Sequence, residues 1–425
     1  MLQFKKSVFA TSTKKFVVLL GFGLIMALAG CTSSASPAPT LSPGTATPGQ
    51  TPSILTTPTA SVTPTPTLTP TSTPTPTPNP TSSCVTVSIA PGHFGPGPQL
   101  LANGGYDAVA PLPNGKFLFL GGSSSGKTEI YDPCNNHFTF TGSMNVARTG
   151  GYAFALPDGK VLVYGGALTG GCCVNPLSDM EMYDPTTGLF TDLGETPNMY
   201  SDATLLSNGK ILFSLSDPGA SPAAALYDPT NGNWQATTNG MSCAACWSNT
   251  ATLLSGGNTV LFAGGDGSET PGSDDVGVKV AEVYSYGPTG GTFTTTGSMH
   301  TARRGSTAIM LSDGNVLILG GENVTGIINT AEVYDPGSGA FHTIGLMNNA
   351  RGYATAKLLP NGDVLIVGGL DNNGTNLSSA ELYHANGTFT VTGPMSTPRL
   401  NIAVTLLPNG LVLVVGHGTA DLYRP

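Results

Sequence analysis

The chain is poor in charge, in basic residues and in long apolar runs. Asp, Glu, Lys and Arg make up 10% of its 425 residues, and 16 bases stand against 25 acids, a formal net charge of −9. Four of the bases, Lys5, Lys6, Lys14 and Lys15, precede residue 31 in a stretch without acids, so the remainder carries −13. Such a surface repels phosphate backbones, which excludes nucleic acid as an expected partner. The apolar run at residues 16–29 is short for a membrane span. Glycine, by contrast, is abundant, with 57 residues. Low charge with many glycines points to an all-β, turn-rich protein.

The N-terminus reads as an export signal: lysines, the apolar run, then Leu28-Ala29-Gly30-Cys31. This ending resembles the bacterial lipobox, in which the cysteine thiol takes a diacylglycerol and cleavage occurs just before it. The resemblance implies a lipoprotein signal peptide over residues 1–30, lipidation at Cys31 and an extracytoplasmic protein lipid-anchored to a bacterial membrane. An ordinary cleaved signal and an uncleaved anchor are the other readings. Residues 31–83 are almost wholly Ser, Thr, Pro, Ala and Gly. They can bury no core and are expected to form an extended stalk.

From residue 84 onward the sequence repeats. LPNGKFLFLGG ends at Gly122, LPDGKVLVYGG at Gly166, LSDGNVLILGG at Gly321 and LPNGDVLIVGG at Gly369. Each unit opens with an alternating apolar segment. A turn with Asn-Gly or Asp-Gly in most copies follows, read as a two-residue hairpin turn with positive φ. The next segment, such as Val316-Leu317-Ile318-Leu319, is apolar throughout, as a strand buried on both faces should be. It runs into a glycine pair. A variable loop leads to a third strand ending in tyrosine (Tyr131, Tyr183, Tyr227, Tyr284, Tyr334, Tyr383, Tyr423). Two residues before each tyrosine stands Glu129, Glu181, Ala225, Glu282, Glu332, Glu381 or Asp421. A fourth strand starts with an aromatic residue, and Met144, Met299, Met347 and Met395 follow, each with arginine four residues later. The glycine-pair position recurs every 44 to 56 residues, the length of a four-stranded blade.

Glycine pair, tyrosine, aromatic residue and Met with Arg four residues on resemble the Kelch repeat, with phenylalanine where that family usually has tryptophan. The resemblance spans residues 84–425. It implies an all-β, seven-bladed β-propeller of four-stranded antiparallel blades. Unit seven has three strands and ends at Tyr423. The alternating segment Cys84-Val85-Thr86-Val87-Ser88 is expected to supply its outer strand, so that an N-terminal strand pairs with the last blade and closes the ring.

Candidate sites follow from this register. Six cysteines besides Cys31 suggest disulfides in an exported protein. Cys84 on the closing strand should lie beside Cys134. Cys172 with Cys173, and Cys243 with Cys246, form local pairs or cross-pair between two loops of one face. With a single C-x-x-C, no metal site is expected, nor any cofactor. Arg148, Arg303, Arg351 and Arg399 share one repeat position, filled by Asn198 and Cys246 in other units. They form either a positive collar for a carboxylate or sulfate at the channel mouth or structural pairs with the third-strand glutamates. Arg304 lies off that position and is the freer ligand candidate. Tyr200 and Trp247 are placed to stack on a sugar or peptide, or to pack between blades. The acidic loop from Asp266 to Asp275 reads as solvated. Likeness to the galactose oxidase propeller would imply copper held by two histidines and two tyrosines. By the register, His93, His137, His300, His342, His384 and His417 do not converge. Connections after second and fourth strands share one face and are the long ones, the usual seat of recognition. The expectation is a monomeric, surface-tethered module that binds a glycan or protein. The alternative is a sugar-acting enzyme, mutarotase/epimerase-like or galactose-oxidase-like, on the same scaffold.

Overall fold

The computed structural model describes residues 87–102, 105–122, 125–168, 176–198, 202–214, 224–241, 249–266 and 277–425. The signal, Cys31 and the stalk lie outside them. Residues Ser83–Pro425 form one compact unit. Among the described residues all regular structure is β, in seven four-stranded antiparallel sheets and one short hairpin. The innermost strands, blade one to blade seven, are Ala108–Pro111, Tyr152–Ala155, Asp202–Leu205, Thr250–Leu253, Thr307–Met310, Thr355–Leu358 and Ala403–Leu406. The fold is a seven-bladed β-propeller.

The second strand of each blade explains why the sequence must go round a ring. In Val364–Val367 all four residues are buried. Val364 and Ile366 join a cluster with Leu317, Leu319 and Met347 of blade five. Leu365 and Val367 join one with Val412, Val414 and Tyr423 of blade seven. One sheet therefore feeds two cores, and no blade can bury its apolar surface alone. Seven such clusters lie between successive blades, and the one joining Phe117 and Phe119 of blade one to Leu413 and Val415 of blade seven completes the circle.

The turn from first to second strand differs from the two-residue form expected. In blade two Leu156 donates its amide to the Lys160 carbonyl at 2.8 Å, leaving a three-residue loop. Only Gly159 has positive φ, at 87°, while the Asp158 carboxylate receives the Lys160 amide at 3.1 Å. The glycine pair has a packing reason as well as a conformational one. A Cβ on Gly320 would lie 2.1 Å from the Arg351 carbonyl oxygen, so the linker to the next blade could not pass.

Blade seven is completed by a different segment from the one expected. Its outer strand is His93–Pro96, antiparallel to Thr419–Arg424, with Phe94 opposite Tyr423. Val87 and Ser88 are not in a strand, and residues 84–86 lie outside the described residues. Alternation is not what defines a fourth strand here. In every blade its aromatic ring packs on the third-strand tyrosine, with centroids 4.8 to 5.2 Å apart, and Phe94 on Tyr423 is one of the seven at 4.9 Å. Two residues before each ring a positive-φ residue ends the turn, Gly92 before Phe94 as Gly188 before Phe190. Gly92-His93-Phe94 meets both conditions, and 84–88 meets neither.

Candidate functional site

The four repeat arginines are interior residues, each 0% exposed. Arg351 shows the pattern. Its Nη1 donates to the carbonyls of Gly368 and Ser379 at 2.8 and 3.1 Å, and its Nη2 to Glu381 Oε1 at 2.8 Å. The Glu381 carboxylate also accepts the amides of Asn348 and Asn349 at 2.7 and 2.9 Å. Arg303 with Glu332, Arg148 with Glu181 and Arg399 with Asp421 repeat the arrangement. Each linker is thereby clasped to the third strand of the blade it enters. Burial lowers the pKa of Arg303, Arg351 and Arg399, and their carboxylate partners offset part of that. Burial acts to raise Glu332 and Glu381, but the guanidinium and the amides outweigh it and hold both below the usual carboxylate range. Of the two readings of these arginines, the structural pairing with third-strand carboxylates is the one that holds, and no collar forms at the channel mouth. Arg148, Arg303, Arg351 and Arg399 are enclosed in the wall, where no ligand reaches them.

Arg304 does reach the looped face, but it is flanked by acids. Its Nη1 lies 2.7 Å from Asp266 Oδ2 and its Nη2 2.9 Å from Glu322 Oε2. Two carboxylates around one guanidinium leave the cluster negative. At the corresponding end of blade one, Asp107 accepts the Gly150 amide at 2.7 Å; burial raises its pKa, with the Gly150 amide and His417 opposing. Around Arg304 and Asp107 the described residues therefore present more acid than base.

Blade three breaks the repeat. Ala225 replaces its third-strand acid, Leu215-Ser216 its glycine pair, and Asn198 the arginine that would clasp it. At its inner strand stands Asp202, 9% exposed. Oδ1 accepts the Tyr152 hydroxyl at 3.0 Å, and Oδ2 is buried with no partner. Burial pushes the Asp202 carboxyl up to about 7, against the lowering effect of the Tyr152 hydrogen bond. The folded protein therefore holds this proton to higher pH than the unfolded chain does. Stability contributed by the neutral acid is complete below the ordinary carboxylate pKa of about 4 and is lost as pH rises through 7. Asp202→Asn should remove that loss. We expect the variant to melt higher than the parent at pH 8, by up to roughly 4 kcal/mol, and to approach it at pH 4, measured by calorimetry. A parent-to-variant difference that does not change between these pH values rules the assignment out. Repeat alignment alone could have flagged Asp202, because Tyr152, Thr250, Thr307, Thr355, Ala403 and Ala108 hold that position elsewhere.

Tyr200, Trp247, Cys84, Cys172, Cys173, Cys243 and Cys246 lie outside the described residues. Cys134 sits in the turn before the outer strand of blade one, its amide donating to Asp132 Oδ1 at 2.9 Å, and it is disulfide-bonded.

No protein family description matches the sequence, and no curated protein is similar to it. Solved structures do match. A fungal alcohol oxidase of the AA5 family, determined in complex with copper, is 19% identical with a TM-score of 0.59, over 78% of this chain and 76% of the oxidase. YjhT is 14% identical with a TM-score of 0.51, over 70% of this chain and 99% of its own. The likeness is one of fold.

Copper makes a direct test of the side chains. Among the described residues no group of three or more His, Cys, Asp and Glu could hold a metal ion. His384 bridges Asp363 and Thr390 at 2.9 and 2.8 Å, His300 lies 3.0 Å from Glu332, and His417 Nε2 lies 2.9 Å from the Leu400 carbonyl. These histidines stand in separate blades, each with its own local partner. The described residues do not fit a copper centre.

Proposed function

We propose that the protein is a binding module that presents the looped face of a Kelch-type propeller to a neutral glycan. The observation that carries this reading is the contrast between the four blades clasped by a buried Arg–carboxylate pair and blade three, which lacks both the arginine and the third-strand acid. The buried Arg–carboxylate pairs hold linkers rigidly at blades two, five, six and seven, whereas blade three lacks every part of that device and carries a partly paired acid instead. Long connections on a stiff frame suit recognition. The acidic surround of Arg304 suits an uncharged ligand. A glycan array probed with the protein should retain neutral oligosaccharides, with binding insensitive to removal of metals by chelator. Retention of none, with capture of a partner protein instead, would replace the glycan by a protein ligand.

A sugar-acting enzyme is the second reading, favoured by the Asp202 carboxyl, whose pKa near 7 suits proton transfer. Turnover of a reducing sugar, followed by the rate of anomer exchange or by peroxide release, would establish it. The propeller is tethered outside the cytoplasm by lipid on Cys31, with residues 32–83 as the spacer, and acts as a monomer. Cys31→Ser should move the protein from the membrane to the soluble fraction, or stall its maturation, in cell fractionation. A variant that fractionates and matures like the parent excludes the anchor. We assign Cys84 as the partner of Cys134, and peptide mapping of the unreduced protein tests that pair.

A further inference from the structure

We propose that a hollow on blade seven is a ligand subsite in which the free carboxylate oxygen of Asp421 accepts a hydroxyl of a neutral saccharide. The inference rests on the glycan reading above and locates where one sugar ring engages.

The hollow has a volume of about 470 Å³, within the range of small-ligand sites. It lies between the outer strand His93–Pro96 with the linker that follows it, the linker arriving from blade six, and the start of Thr419–Arg424. The sequence leaves this end of the blade open. Between Val412–Gly416 and Thr419–Arg424 the connection is only His417-Gly418, whereas blade six spends residues 368–379 on the same connection. No long loop therefore stands over the hollow. Gly418 is part of its lining, and a Cβ added there would meet no atom within 4 Å.

The acid at the bottom is unlike its counterparts. In blades two, five and six the clasp acid is glutamate, and each of its oxygens accepts one amide of the incoming linker, as Glu381 does from Asn348 and Asn349. Asp421 is one methylene shorter. Its Oδ2 takes every bond: the Ser396 amide at 3.1 Å, the Ser396 hydroxyl at 2.9 Å and Arg399 Nη2. Oδ1 receives no donor, and unlike Asp202 Oδ2 it is not sealed from solvent. The side chain is 2% exposed. Asp421 lines the hollow and stands opposite Pro96 in the strand register, so both side chains project to one face of the sheet. The hollow is where that oxygen meets water.

The surroundings select the ligand. Pro96, Pro98 and Pro394 give the hollow stiff apolar walls, suited to the carbon face of a sugar ring, and Gln99 stands exposed at its rim with a carboxamide to offer. A cation approaching Oδ1 meets the Arg399 guanidinium on the same carboxylate, and an anion meets the carboxylate itself. A neutral hydroxyl meets neither penalty and makes a charge-assisted hydrogen bond.

The test uses the full-length protein in detergent. A panel of immobilised neutral mono- and oligosaccharides is screened, and the best-retained compound is titrated by calorimetry against the parent, Asp421→Glu and Gly418→Asn. Asp421→Glu restores the acid of the other clasps, whose second oxygen turns to the linker. Gly418→Asn places a side chain in open space at the hollow, at a positive φ of 74° that asparagine tolerates. We expect each variant to raise Kd about tenfold or more, with the melting temperature of Asp421→Glu equal to or above that of the parent. An unchanged Kd in Asp421→Glu overturns the subsite and leaves the glycan reading standing. Retention of no saccharide by the parent overturns both. If Asp421→Glu melts lower than the parent, Gly418→Asn decides alone: a tenfold weaker Kd supports the subsite, and a Kd equal to the parent's overturns it.

Discussion

Glu381→Ala should destabilise the propeller by about 5–7 kcal/mol, and Arg351→Met by only about 2–3 kcal/mol. The asymmetry comes from what each change leaves behind. Without Glu381, a fully buried guanidinium loses its counter-charge, and the amides of Asn348 and Asn349 lose their acceptor together. Removing one member of a buried ion pair costs about 3–5 kcal/mol, and each stranded amide adds about 1 kcal/mol. Without Arg351, the Glu381 carboxylate still accepts from both amides and both side-chain amides of Asn348 and Asn349, so its charge stays solvated by dipoles. The measurement is the urea midpoint and slope of both variants. Equal losses would mean that the ion pair, and not the amide grip on the linker, dominates the clasp.

The second large effect concerns the seam. Deleting residues 1–96 removes the strand His93–Pro96 and with it the outer edge of blade seven. It strips Phe94 from Tyr423, the Gly92 amide from the Arg424 carbonyl at 2.8 Å, and the Ile89 carbonyl from Arg424 Nη1 at 3.0 Å. Thr419–Arg424 becomes an open edge strand that can pair with another chain. We expect a melting temperature lower by roughly 10 °C or more and self-association in size-exclusion chromatography. Phe94→Ala alone, at a half-buried site, should cost about 2 kcal/mol. A truncated protein that melts like the parent and stays monomeric would show that the inter-blade cores close the ring unaided.

Much of the architecture was legible because it is written seven times. Blade number, strand order, the buried second strand and the glycine pair all follow from residues that recur in phase. Alternation in Cys84-Val85-Thr86-Val87-Ser88 points to the wrong closing segment, because the fourth strands are defined by a positive-φ turn residue and a ring on the third-strand tyrosine. Gly95 and Pro96 disguise the closing strand, yet an edge strand tolerates both. The arginines were ambiguous for a different reason. A basic residue entering an inner strand looks the same in sequence whether it faces solvent or a carboxylate two strands away. The pairing of Arg351 with Glu381 depends on how the linker crosses the sheet, and only coordinates give that. Asp202 stands out in the repeat alignment as an acid where Thr or Ala is usual, but a single acid carries no motif that says what it does. Its meaning comes from Tyr152, fifty residues earlier, in another blade.

The seam also sets the order of events during synthesis. Gly92 and Arg424 must meet across almost the whole propeller sequence, so the last sheet cannot form until Thr419–Arg424 has left the ribosome. Until then blade seven has no outer strand and blade one no seventh neighbour. Contacts this remote form late and slowly, and an unfinished arc with bare edges is prone to clump. A nascent chain of this design gains from staying extended until Thr419–Arg424 is available.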